Sequence, residues 1–139
     1  MIFRVSWVLL AGAAVGLALW VGTWPMSEIS LGCRTMFTQE NADECAASVV
    51  SVLGVGRVTV LAAIVALPCL VAAAALRPWV SWMAVAAFAG MAVIGLMNWD
   101  EFWGTLMFAA LFFLVGLLLA GAQQFAASDA AVPHAARSA

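Results

Sequence analysis

Four long apolar stretches without a formal charge run through the chain: Val5–Ser27, Val58–Leu76, Pro78–Trp99 and Phe102–Ser128. About 20 apolar residues suffice to cross a hydrocarbon core of roughly 30 Å. An unpaired backbone amide in lipid costs several kcal/mol, so each stretch is expected to be helical. Trimmed at their ends, the expected spans are about 4–24, 52–76, 79–98 and 102–124. The first is too long for the apolar region of a signal peptide, and Gly22-Thr23-Trp24-Pro25 is a poor cleavage site, so a retained anchor is expected.

The connections set the topology. The first loop is long, roughly Pro25–Ser51. The second, Leu76-Arg77-Pro78, and the third, Asn98-Trp99-Asp100-Glu101, are tight and make their flanking helices antiparallel neighbours. The expected fold is an all-α membrane protein, an up-down-up-down four-helix bundle, in one domain over residues 1–125. Residues 126–139 are Ala- and Ser-rich, with Pro133 and His134, and are expected to be a disordered tail. Pro68 interrupts the second span and is expected to kink it, as a packing feature or as a hinge.

Composition removes whole classes of function. Hydrophobic residues make up 67% of the chain and charged ones 9%, against roughly a quarter charged in soluble domains. Lysine is absent, and no basic cluster offers a nucleic-acid footprint. Arg4, Arg77 and Arg137 fall on one side of a four-span layout, which the arginine bias makes cytoplasmic. Glu28, Glu40, Asp43, Glu44, Asp100 and Glu101 fall on the other, with Arg34 and Arg57. Tryptophans agree with this registry: Trp24, Trp99 and Trp103 at the outer boundary, Trp7, Trp79 and Trp82 at the inner one, where amphipathic indoles favour the interface. The Lys-free, Ala- and Arg-rich composition suggests a high-GC, actinobacterial-type bacterium and its inner membrane.

Candidate chemistry is sparse. Cys33 and Cys45 share the first outer loop and, on an oxidising face, are expected to form a disulfide closing about a dozen residues. Chain entropy would then contribute roughly 3 kcal/mol. Their spacing differs from the Cys-x-x-Cys of catalytic pairs. Cys69 lies deep in the second span and is expected to stay reduced and buried. Arg57, near the outer end of that span, is a charge in an expensive place. It is expected to pair with Glu28, Asp100 or Glu101, to snorkel, or to hold a lipid phosphate. Asp100 and Glu101 read as a solvated turn pair, or as partners for a cation or the loop containing Arg34. Gly12 and Gly16 share one helix face and permit close approach of another helix, within the bundle or from a partner. Trp20, a turn deeper than Trp24, is a further candidate contact. His134 is the single histidine, and neither a metal-ligand cluster nor a nucleophile set is apparent, so no metal, cofactor or catalytic residue is expected.

Ser30-Leu31-Gly32-Cys33, then Cys45, then Arg57 resembles the claudin and peripheral-myelin-protein group. That family has four spans, a large first extracellular loop with a disulfide-bonded cysteine pair, and an arginine near the outer start of its second helix. Trp24 would match its early loop tryptophan, whereas Leu31-Gly32 stands where Gly-Leu-Trp is expected. The resemblance covers about residues 24–60 plus the span count. It implies a stapled outer loop and roles in lateral contact, without enzymology.

These readings converge on a non-catalytic accessory subunit that binds laterally to a larger membrane complex, a transporter (of lipids among other cargoes) or a respiratory assembly. One alternative is a stand-alone lipid- or small-molecule-binding protein with Arg57 as the headgroup anchor. A second is a thiol-redox enzyme using Cys33 and Cys45.

Overall fold

In the computed structural model the described residues are 1–30, Cys33 and 42–135, the side chains of 129–135 excepted. The expectations for Leu31-Gly32, Arg34, Glu40, His134 and Arg137 fall outside them. Four helices are long and apolar enough to cross a membrane. They are α1 (Ile2–Gly22), α5 (Val55–Ala75), α6 (Pro78–Met97), and a 3-10 segment, Phe102–Phe108, that runs into α7 (Ala109–Ala135). The described part of the first loop holds the short helices α2 (Met26–Ile29), α3 (Ala42–Ala46) and α4 (Val49–Leu53). The all-α four-helix class is as expected, and the chain is a multi-pass membrane protein.

The bundle is built from two tightly packed antiparallel pairs. α1 lies along α5, and α6 lies along α7 and its 3-10 lead, while α5 and α6 touch less. On α1 the buried stripe is Trp7, Ala11, Ala14, Ala18 and Val21, a spacing of four and three that keeps one seam facing its neighbour. On α5 it is Val58, Leu61, Val65, Cys69 and Ala72. Lipid is as apolar as leucine, so what favours this pairing is close backbone approach between small residues. The antiparallel register is pinned at both ends. A Cβ on Gly22 would stand 3.3 Å from a Val58 methyl, and Arg4 Nε donates to the Ala73 carbonyl at 3.2 Å.

The α6–α7 pair is pinned in the same way. Ser81 Oγ donates to Gln123 Oε1 at 2.7 Å at one end, and the Phe88 and Phe112 rings lie 5.9 Å apart near the middle. At the other end Gly95 presses on the backbone of Leu106 and Met107. The α5–α6 turn has two residues between helices. Leu76 adopts a left-handed φ of 50°, Arg77 is extended as a residue before proline must be, and Pro78 opens α6, where its missing N–H is harmless. Gln123 Nε2 donates to the Leu76 carbonyl at 2.9 Å, which ties the turn to α7. Replacing Gln123 with leucine leaves the buried Ser81 hydroxyl and that carbonyl without this partner. The variant is expected to lose about 1–2 kcal/mol of bundle stability, measured by denaturation in detergent, because membrane hydrogen bonds average about 0.6 kcal/mol each.

Several sequence expectations shift. The second span starts at Val55 instead of 52, because Gly54 takes φ 82°, which favours glycine, and separates α4 from α5. The fourth span opens as a 3-10 helix: Gly104 N–H bonds to Glu101 at 2.8 Å and lies against the Asn98–Trp99 backbone. Its helix continues to Ala135, beyond the boundary at 124. Alanine-rich sequence there has high helix propensity. Trp7 is corrected from an interfacial anchor to a core residue, 0% exposed. It falls in register with the small stripe of α1, and the absent side chain of Gly116 leaves room for its ring, 3.7 Å from where a Cβ would sit.

Candidate contact faces and the stapled loop

The first loop is closed at its base and again near its middle. Met26 N–H donates to the Ala47 carbonyl at 3.0 Å, and Val49 N–H to Trp24 at 2.8 Å, so the chain leaves and re-enters the bundle at one point. Cys33 and Cys45 form the disulfide, with Cα atoms 5.6 Å apart. Cys45 is 2% exposed, packed beneath the loop. Cys69 is free and buried in α5, as expected.

Arg57 is exposed and lines a cleft of about 220 Å³ with Asp100, Glu101, Ser30 and Trp103. The structure thus brings together the cation and two of the carboxylates that the sequence suggested. Yet no ion pair joins them: among the described residues no carboxylate lies within 4.0 Å of the Arg57 guanidinium. The cleft carries both signs of charge, so an anionic headgroup at Arg57 would also face Asp100 and Glu101.

Gly12 and Gly16 do not pack inside the bundle. A Cβ added at either meets nothing within 4 Å. At 3.6 residues per turn they lie on the side of α1 opposite the buried stripe, together with Leu9 and Ala13. Small alanines already make the intramolecular seam, so the glycines are left facing outward. Trp20, one turn beyond Gly16, is 57% exposed yet held: its ring meets Trp24 edge-on at 5.0 Å, and Trp24 in turn meets Phe108 at 6.1 Å. Three of the sequence-selected residues, Gly12, Gly16 and Trp20, therefore share one outward face. Arg57 stands apart from them in the cleft at the disulfide end.

Set against protein-family models, curated proteins and solved structures, the chain matches none. The claudin-like resemblance accordingly rests on the cysteine pair, Trp24 and Arg57 themselves.

Two features escaped sequence reasoning. The Ser81–Gln123–Leu76 network joins three elements at the turn end, and Trp82 Nε1 donates to Gln124 Oε1 at 2.8 Å beside it. Two adjacent glutamines in an apolar helix were the available signal. The second is the groove between α5 and α6, lined by Leu67, Val71, Met83 and Ala87 among others. Pro68, inside α5, lines it as well.

Proposed function

We propose that the chain is a non-catalytic accessory subunit that docks laterally against a larger integral membrane protein, in a bacterial inner membrane with both termini cytoplasmic. The observation that carries this reading is the outward face of α1. Gly12 and Gly16 offer a backbone surface with nothing against it, flanked by Leu9 and by a Trp20 ring that rests edge-on against Trp24. A glycine pair one turn apart admits a second helix to short distance, which is how membrane helices gain dispersion contact. An aromatic side chain fixed before binding loses little entropy on docking. The claudin-like loop belongs to the same proposal, as a disulfide-stapled cap presented on the opposite side of the bilayer from the termini. Burial of Cys45 leaves only the half-buried Cys33 sulfur open to exchange, which counts against the thiol-redox alternative.

Purification from native membranes in mild detergent tests the proposal. The wild type should recover a stoichiometric integral membrane partner. Gly12→Leu and Gly16→Leu should reduce that recovery about tenfold, a loss of about 1.4 kcal/mol, without lowering the melting temperature of the isolated chain. A monodisperse monomer or homo-oligomer from undisturbed membranes contradicts the accessory role. Undiminished recovery by both variants removes the α1 face from it.

A further inference from the structure

The groove between α5 and α6 has the depth of a single leaflet. Its walls run from Leu67 and Pro68 to Ala75 on one helix and from Trp79 to Ala87 on the other, and its volume is about 700 Å³. At 1.5 Å per residue either wall is about 12 Å long, close to half of a roughly 30 Å hydrocarbon core. A transmembrane helix of a partner would traverse the whole core and would need a groove of twice that length. An acyl chain from one leaflet needs only this half. The groove exists because α5 and α6 touch less than the other antiparallel pairs, and because Ala75, Ala84 and Ala87 leave little side chain between them.

Arg77 and Trp79 stand at its mouth, at the turn between the helices. Arg77 is exposed, and among the described residues it has no hydrogen-bond or ion-pair partner. The other described cation at this end, Arg4, donates through Nε to the Ala73 carbonyl. The carboxylate side chains of Glu28, Asp43, Glu44, Asp100 and Glu101 belong to the loops at the opposite end, while Asp129 lies on α7 beyond Gln123, at the Arg77 end. A guanidinium at the rim of a hydrocarbon groove, with no ion-pair partner among the described residues, is complementary to a phosphodiester at headgroup depth. An indole beside it favours the same depth.

We infer that this groove binds one acyl chain of an anionic phospholipid from the leaflet at the termini end, with Arg77 holding the headgroup phosphate. The inference does not rest on the accessory-subunit reading, since the groove is walled by α5 and α6 and takes no residue from α1. It moves the lipid anchor from Arg57 to Arg77.

The test is a titration of the full-length chain, in mild detergent, with phosphatidylglycerol or phosphatidylcholine, with bound lipid counted by native mass spectrometry. The wild type should bind one phosphatidylglycerol about fivefold more tightly than phosphatidylcholine, the size expected of one arginine at a lipid surface. Arg77→Gln should abolish that preference, while Arg57→Gln should keep it. Ala87→Phe, and Val71→Trp from the other wall, should weaken binding of both lipids; melting curves show which of the two remains folded, and that one is read. Equal binding of the two lipids by the wild type overturns the inference. So does a preference that survives Arg77→Gln, or lipid binding unchanged in the folded groove-filling variant. A photo-reactive residue at Val71 that captures a protein instead of lipid in native membranes overturns it as well.

Discussion

Alanine at Gly95 is expected to destabilise the bundle by about 3 kcal/mol, the upper end of what overpacking costs. The added methyl would meet the Leu106 carbonyl carbon at 2.6 Å and the Met107 Cα at 2.9 Å, with the Met107 nitrogen closer still. These are backbone atoms, so no side chain is free to rotate away. The hairpin of α6 with the 3-10 segment would have to open, and that segment already lies against Asn98 and Trp99 through Gly104. Gly90 provides the control on the same helix. A Cβ there meets nothing within 4 Å, and alanine is the better helix former, so Gly90→Ala should be neutral or slightly stabilising. Both variants are read by denaturant titration in one detergent. Equal stability of the two would mean that α6 and the 3-10 segment are not in backbone contact.

Trp7→Ala is expected to cost about 4 kcal/mol, while Trp7→Phe should change stability by less than about 1.5 kcal/mol. Trp7 is fully buried, and its ring fills the space opposite Gly116, beside Val85 and Phe88. Its removal leaves a cavity between both helix pairs. Its indole Nε1 has no hydrogen-bond partner. Phenylalanine therefore gives up part of the ring but also an unsatisfied donor, two effects of opposite sign. If alanine and phenylalanine cost the same, the stabilising contribution of Trp7 lies in its N–H and not in its shape.

The contrast between what the sequence disclosed and what it withheld has one physical origin. Hydrocarbon demands long apolar helices with satisfied backbones, so the number of spans and their approximate ends follow from charge-free length. The water-exposed loop carries polar signals of its own, and Cys33 and Cys45 were legible there. Inside the membrane both the lipid-facing and the core-facing sides of a helix are apolar, and hydrophobic periodicity no longer marks a face. Trp7 thus looked like an interfacial residue, although the run Ala11, Ala14, Ala18 and Val21 held the phase that buries it. Gly12 and Gly16 read first as internal packing residues, and the position of that alanine seam turned them outward. Gln123 was overlooked because an amide in an apolar run shows nothing of the carbonyl it will meet across the bundle. Arg57, Asp100 and Glu101 were correctly gathered at one end, but proximity in topology did not bring them to ion-pair distance.

Site-specific photo-crosslinking in native membranes addresses the lateral-docking proposal most directly. A photo-reactive residue would replace Leu9 or Ala13 on the outward face of α1, and Val60, exposed on α5, would serve as the reference. The first two positions should capture one and the same larger membrane protein, while Val60 should capture lipid. Lipid adducts at all three positions, or crosslinks to a second copy of this chain alone, would contradict an accessory role.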